Sequence, residues 1–419
     1  MGNPLVEALR ANDLAQGKKA THYFDSNASV ISYSTGLPVL DYYLGYKVNV
    51  FDKDGEYVTS YPNLGITAGS YVLFVGKPGT TKTSTAVKIA ANIVRPFKNG
   101  FVMHFDLEQS LNYSRIYALT KLPIPEMEKG KYILRQEKTT LEDMKSTIMK
   151  IYKEKISNPD LYRYNTHKLN EFGEEIELFE PTVIIIDSIA TITTAMDDGT
   201  TKSLEKLEEI GSQTDRLRLT GEISRFFNET LPYLRTANIT LIAINQIKTK
   251  PQLTFVHEAA SIVGLSPDES LPGGKTPQFL AQILLKFVAV GSEKYKEDVD
   301  GFQGFKVRAE IIKSRVSAAL KSVALVYDAN SGISMVRSTV DYAKSLGLIT
   351  GNKNGYYFVT DKEKKHRFTL KNMPQDFRND PDLYKELHDL VIPVLENNLS
   401  GLRPEEATSD VNELNFYDL

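Results

Sequence analysis

Tyr71-Val72-Leu73-Phe74-Val75-Gly76-Lys77-Pro78-Gly79-Thr80-Thr81-Lys82-Thr83 is the stretch that decides the fold. A continuous apolar run leads into a Gly/Thr-rich turn, after which residues 83–94 show helical apolar spacing (Val87, Ala90, Ala91, Val94). A buried strand, a turn of small residues and a helix, in that order, make a phosphate-binding loop. Backbone N–H groups of the turn and of the helix N-terminus then point at the phosphates. In this reading Lys82 reaches the β- and γ-phosphates, Thr83 ligates Mg²⁺, and the nucleotide-binding segment runs from Gly76 through Ser84. The residue before Lys82 is Thr81, where such loops usually have Gly, so confirmation must come from a second, acidic strand.

That strand is Pro181-Thr182-Val183-Ile184-Ile185-Ile186-Asp187-Ser188. An Asp at the C-terminal end of a buried parallel strand faces the crevice where open α/β sheets bind ligands. There Asp187 can hold the water shell of the Mg²⁺ bound by Thr83. A helix N-cap is the plain alternative for such an Asp taken alone. A third strand, Phe101-Val102-Met103-His104-Phe105-Asp106, is followed by Glu108 at the same edge. A carboxylate placed there can polarise the water that attacks a γ-phosphate, the plain alternative being a solvated loop acid. His104, mid-strand, reads as a hydrogen-bonded core residue. A fourth strand ends in Asn245 and Gln246, two amides that are costly at a buried strand end unless partnered. Gln246 can donate to the γ-phosphate and report its loss to residues 248–272. This long loop contains Lys248, Lys250, Phe255 and His257, and its cations and aromatic suit single-stranded DNA; a mobile surface loop is the alternative.

Apolar runs at residues 71–75, 101–105, 182–186, 239–244 and 279–288 alternate with helical patterns at 140–152 and 221–234. This is the signature of an α/β fold with a mostly parallel sheet covered by helices on both faces. Residues 304–312 and 317–327 read as an antiparallel extension. Residues 4–14 read as an amphipathic helix, followed by an extended stretch at His22-Tyr23-Phe24. Residues 335–399 read as a small α+β module: a helix at 339–346, a strand at 355–359, helices near 374–377 and at 382–395. The expected division is 1–34, 35–334, 335–399 and an acidic, disordered tail, 400–419.

Fifty Lys+Arg against 53 Asp+Glu leave a net charge of −3, which excludes a wholly basic DNA-coating protein but not a local basic channel. From Glu396 onward six acidic residues face one Arg, so the anionic excess sits in the tail. With no Cys, thiolate catalysis and Cys-based zinc sites are excluded, and the six His show no paired ligand spacing. The chain has no apolar run of membrane-spanning length and no apolar signal core near its start, so a soluble, cytoplasmic protein without a membrane partner is expected.

Taken together, these pieces resemble the RecA family of strand-exchange recombinases, and most closely its phage branch, the UvsX type. The resemblance rests on the order Ser34-Thr35-Gly36-Leu37-Pro38 to Asp41, the loop 76–83, Asp106-Leu107-Glu108, Ile186-Asp187-Ser188, Ile244-Asn245-Gln246-Ile247, Pro272-Gly273-Gly274 and Ile312-Lys313-Ser314-Arg315. UvsX-type loops depart from RecA where Thr81 stands. The resemblance implies an ATP- and Mg²⁺-dependent, DNA-stimulated ATPase that forms helical filaments on single-stranded DNA and pairs it with duplex DNA. In a phage-encoded protein it implies work in the bacterial host cytoplasm, with single-strand-binding and loading mediator proteins as partners. Glu108 becomes the catalytic carboxylate, assisted by Lys82. Gln246 couples the nucleotide to the second DNA-binding loop, where Lys248, Lys250, Phe255, Gly273 and Gly274 are assigned to DNA. The first such loop falls near residues 195–215, where Glu209-Ile210-Gly211 resembles the family's pattern, with Arg216 just beyond it. Lys313 and Arg315 become the basic pair that reaches the ATP of the neighbouring subunit, and Tyr23-Phe24 resembles the segment that docks one protomer on the next. Where the family often stacks a Tyr on adenine, this chain has Arg115. A hexameric helicase with the same core, or a nucleotide-gated assembly ATPase without a DNA role, is the alternative. The acidic tail is expected to compete with DNA for the basic loops.

Overall fold

The computed structural model describes residues 31–52, 54–195, 201–203, 213–249, 264–266, 268–290, 303–352, 354–359, 365–397 and 399, and residue 11. The segments expected at 4–14 (Ala11 apart), Tyr23-Phe24, Glu209-Ile210-Gly211, Lys250, Phe255, His257 and the acidic tail lie outside them. One sheet organises the rest. Its strands are β1 (Tyr71–Gly76), β2 (Phe101–Asp106), β3 (Tyr132–Arg135), β4 (Thr182–Asp187), β5 (Ile239–Gln246), β6 (Ile283–Val290), β7 (Gly304–Ser314), β8 (Lys321–Asp328) and β9 (Gly332–Ile333). The order across the sheet is β9-β8-β7-β6-β1-β5-β4-β2-β3. The six strands from β6 to β3 run parallel, and β7, β8 and β9 are antiparallel.

The apolar runs form strands because successive side chains go to opposite faces and both faces are covered. Val72, Phe74, Val183, Ile185, Ile242 and Ile244 enter one core; Tyr71, Leu73, Val75, Ile184, Ile186 and Leu241 enter the other. Helix α1 (Lys82–Val94) fills the first with Ala86, Val87, Ile89, Ala90 and Ile93. Helices α2 (Leu141–Ser157) and α3 (Gln213–Thr236) cover the second. Leu219, Ile223, Phe226 and Phe227 repeat at helical spacing, and Phe227 stacks on Tyr71 with centroids 4.7 Å apart. Thr140 starts α2 through a reciprocal capping box with Asp143.

Residues 279–288 do not form the single strand their apolar run suggests. Thr276–Leu280 is a short helix entered through Pro277, whose fixed φ suits a first turn, and the strand begins only at Ile283. Residues 317–320 precede β8 rather than belonging to it. The apolar residues of helix α4 (Met335–Ser345), the sheet Thr350–Asn352, Gly355–Val359, Lys365–Phe368 and helix α5 (Pro381–Glu396) join the first core, with Val340, Phe358 and Leu387 fully buried.

Asp41, in the helix Pro38–Leu44, ties down the strand entering this core. It is 4% exposed and accepts hydrogen bonds from Ser34 Oγ (2.5 Å), Thr35 N (2.7 Å) and Thr35 Oγ1 (2.5 Å). Burial pushes its carboxyl up to about 6 against those three donors. Between pH of about 4 and 6 the folded chain therefore holds a proton that the unfolded chain has released. Stability falls as pH rises across that window, at up to about 1.4 kcal/mol per unit. Denaturant unfolding from pH 4 to 6.5 should show this negative slope in the wild type and a flatter one in Asp41→Asn, which cannot titrate. Equal slopes would rule Asp41 out as the titrating group.

Candidate active site

The C-terminal ends of β1, β2, β4 and β5 converge on one crevice, and each delivers a polar group. The loop after β1 enters α1 through Thr81, which holds φ 68°, a left-handed conformation in which glycine carries no side-chain strain. Lys82, the first helical residue, is 7% exposed and folds back so that Nζ donates to the carbonyls of Gly76 (3.0 Å) and Lys77 (2.9 Å). Burial lowers its pKa, while the charges of Asp187 and Glu108 act in the other direction. Thr80 Oγ1 donates to the Lys77 carbonyl at 2.8 Å and closes the turn.

One helical position on, Thr83 Oγ1 donates to Asp187 Oδ2 at 2.6 Å. Asp187 is 1% exposed, and burial pushes its carboxyl up to about 7, with the charges of Glu108 and Asp106 adding to the rise. The Thr83 hydrogen bond and Lys82 oppose it. No cluster of three His, Cys, Asp or Glu able to hold a metal exists among the described residues. Two oxygen donors and an incompletely compensated carboxylate suit Mg²⁺, which keeps several waters and takes further ligands from phosphates.

Asp106 and Glu108, two residues apart, do different work. Asp106 is fully buried and accepts from Ser110 N (3.2 Å), Leu111 N (3.0 Å) and Gln136 Nε2 (2.7 Å), so it shapes the turn that presents Glu108. Glu108 Oε1 accepts from Ser188 Oγ (2.7 Å) and Gln246 Nε2 (2.9 Å). His104 is buried with Nδ1 2.8 Å from Tyr132 OH, and burial lowers it to about 4 against the charge of Asp106. The second amide of β5, Asn245, is also buried. Its Nδ2 donates to the Pro272 carbonyl (2.9 Å), so β5 holds the far end of the long loop that leaves it.

These groups surround a cleft of about 340 Å³ lined by residues 78–84, Glu108, Asp187, Ile244, Gln246, Phe305 and Tyr327. Phe305 and Tyr327, 5.1 Å apart between centroids, form one wall of it. Arg115 stands behind that wall, donating to Tyr327 OH (2.8 Å) and to the Ala329 carbonyl (2.6 Å). Ser188, Phe305, Tyr327 and the structural Asp106 carry no assignment from the sequence. For Ser188 a signal existed, its place directly after Asp187; for the two rings none did, since they come from antiparallel strands far along the chain.

The remaining candidates lie elsewhere. Lys248 is in a short strand, Lys248–Thr249, paired with Glu269–Ser270 at the base of the long loop. Gly273 and Gly274 hold φ of 86° and 78°, and a Cβ would meet Ile189 Cγ2 at 2.8 Å and Thr220 Cγ2 at 2.7 Å respectively. They pack the loop's return against the protein. Arg216 is exposed on the second turn of α3. Lys313 Nζ donates to the Phe279 carbonyl at 2.5 Å, and Arg315 Nη2 to the same oxygen at 3.1 Å. Both lie toward the opposite ends of the strands from the phosphate loop. Lys313 pairs with Leu284, itself beside Leu73, and Arg315 N donates to Gln282 O at the level of Tyr71. Five strand residues, about 17 Å, separate that level from Gly76.

No helix among the described residues is long and apolar enough to cross a membrane. No family model matches the chain. Among curated proteins it is similar to "Protein RecA" of Brucella canis, Brucella suis and Brucella abortus, 25% identical to each over 239 residues. The match takes in 55% of this chain and 58% of each relative's length. The mostly parallel nine-stranded sheet, the strand-end site and these similarities support a relationship to the RecA family, and the core is of the RecA type.

Proposed function

We propose that the chain is a DNA-dependent ATPase of the recombinase class, of the phage UvsX type, that polymerises on single-stranded DNA and exchanges it with a homologous duplex. The observation that carries this reading is the Gln246–Glu108 hydrogen bond of 2.9 Å. It joins the carboxylate placed for hydrolysis to the last residue of the strand that leads into the long loop.

Residues 76–84 cradle the phosphates of ATP, and Lys82 exchanges its two loop carbonyls for phosphate oxygens. Mg²⁺, held by Thr83 and Asp187, would neutralise phosphate charge when bound. Glu108 accepts a proton from the attacking water or orients it. A γ-phosphate competes for the Gln246 amide, and releasing Glu108 ties water activation to the position of the second loop. Phe305 and Tyr327 offer the base a stacking wall, which Arg115 braces through the tyrosine hydroxyl. Residues 35–334 form the ATPase unit in this scheme and 335–399 an appended module. Loading and single-strand-binding proteins assist the filament in the cytoplasm of the bacterial host.

Negative-stain imaging with ATP and single-stranded DNA should show helical filaments; closed rings would favour a helicase, and no assembly would defeat the proposal. Gln246→Ala should bind DNA equally well with ATP and with ADP, since a ligand shifts an equilibrium only through differential contacts. Fluorescence anisotropy with each nucleotide tests this, and a fully retained ATP preference would remove Gln246 from the coupling.

A further inference from the structure

Lys286 is a charged residue in the apolar strand β6, Ile283-Leu284-Leu285-Lys286-Phe287-Val288. Its neighbour on β1 is Val75, and Phe287 lies beside Gly76, so Lys286 stands one residue below the start of the phosphate loop. Its Nζ donates to Glu269 Oε2 at 2.8 Å and to the Gly264 carbonyl at 3.0 Å. Both acceptors belong to the return arm of the long loop. The arm is folded on itself: Glu269 Oε2 also accepts from Ser266 N at 3.0 Å, and Glu269 N donates back to the Ser266 carbonyl at 2.9 Å. The lysine and glutamate side chains are only 12% and 10% exposed. Burial alone would raise the Glu269 carboxyl. The Lys286 hydrogen bond, the Ser266 N–H and the charges of Lys286 and Lys77 outweigh it, and the carboxyl is held below its usual value. Lys77 belongs to the phosphate loop. One carboxylate on the arm is therefore shared by the core strand and, through its field, by the loop that binds phosphates.

A nearly buried ion pair is strongly coupled, because removing one partner strands the other's charge. We propose that Lys286 and Glu269 form a clamp that positions the second DNA-binding loop relative to the phosphate loop, and that this clamp transmits nucleotide state to DNA affinity. Neither side chain touches ATP or DNA; both are positioning residues. The inference rests on the DNA-binding reading of the loop given above.

The test measures oligo(dT) affinity with ATP, and hydrolysis with and without oligo(dT), in full-length protein. Lys286→Met should keep nucleotide affinity and DNA-free hydrolysis. It should lose about tenfold in oligo(dT) affinity and most of the DNA stimulation, within the range for residues that couple sites without contacting ligands. Lys286→Arg should restore most of the loss. Glu269→Gln, nearly isosteric and on the arm rather than in the sheet, should lose as much as Lys286→Met. The double variant should lose no more than either single one, the mark of one shared interaction. Unchanged DNA coupling in the single variants, or additive losses in the double, would overturn the clamp. If the wild type binds no oligo(dT), the functional reading fails separately. The clamp is then judged by hydrogen exchange at residues 266–270 without nucleotide, expected about tenfold faster in Lys286→Met. Unchanged exchange there would overturn it.

Discussion

Glu108→Gln is expected to bind ATP as the wild type does and to hydrolyse it at least about 10²-fold more slowly, the scale of a lost general base. The substitution keeps the shape of the side chain and leaves a carbonyl oxygen to accept from Ser188 and Gln246, which now hold Glu108 Oε1 at 2.7 and 2.9 Å. It removes the negative charge and the basic oxygen. The lysine, the threonine–aspartate pair and the phosphate loop are untouched, so nucleotide affinity should not move. A fluorescent ATP analogue reports binding, and steady-state phosphate release with oligo(dT) reports turnover. Undiminished turnover would take Glu108 out of the chemistry.

Lys313→Ala/Arg315→Ala should lose about 10³-fold in hydrolysis, near the low end of the effect of a cation supplied by a neighbouring subunit. Lys313 stands at the level of Leu73 and Arg315 at that of Tyr71, toward the opposite strand ends from their own phosphate loop. The expectation is therefore that they act on another chain's nucleotide. Mixing this variant with Lys82→Ala should restore activity that neither has alone. An interface works when the first chain supplies the phosphate loop and the second the two cations, and random mixing gives that pairing at about one interface in four. Phosphate release across mixing ratios is the measurement. No recovery at any ratio, with co-assembly demonstrated, would argue for a site completed within one chain.

What could be read in advance follows from how each residue is held. The parallel strands were legible because both their faces are buried, which forces uninterrupted runs such as Thr182–Asp187. Asp187, Glu108 and Gln246 were legible as strand-end polar residues beside such runs. The hairpin Tyr46–Phe51 with Tyr57–Asn63, and the one of Arg163–Leu169 with Glu175–Phe179, were not. Their sequences mix Tyr, Lys, Glu and Asn without a clean period, and they hold each other through Tyr61 OH on Leu169 O (2.7 Å) and Phe51 N on Glu171 O (3.0 Å). Tertiary contacts of that kind override local propensity. Phe305 and Tyr327 stayed hidden for a different reason. Only the reversal of direction at β7 and β8 carries them back to the crevice. The double role of the Asp106–Glu108 pair was hidden as well, because only burial separates the carboxylate that braces a turn from the one that faces the cleft.

On the proposed reading, the reversal at β7 also gives each chain a socket at one end of its strands and a plug at the other. With the plug acting on a neighbour, two chains meeting face to face cannot satisfy both, so they stack head to tail. In an open stack the terminal chain always has a socket that no plug enters, and working sites number one fewer than chains. Output per chain then climbs with stack length toward a plateau, from nothing in a lone chain and half in a pair, and a closed ring works at full output whatever its size. Dispersal to single chains, with every chain intact, would switch the enzyme off.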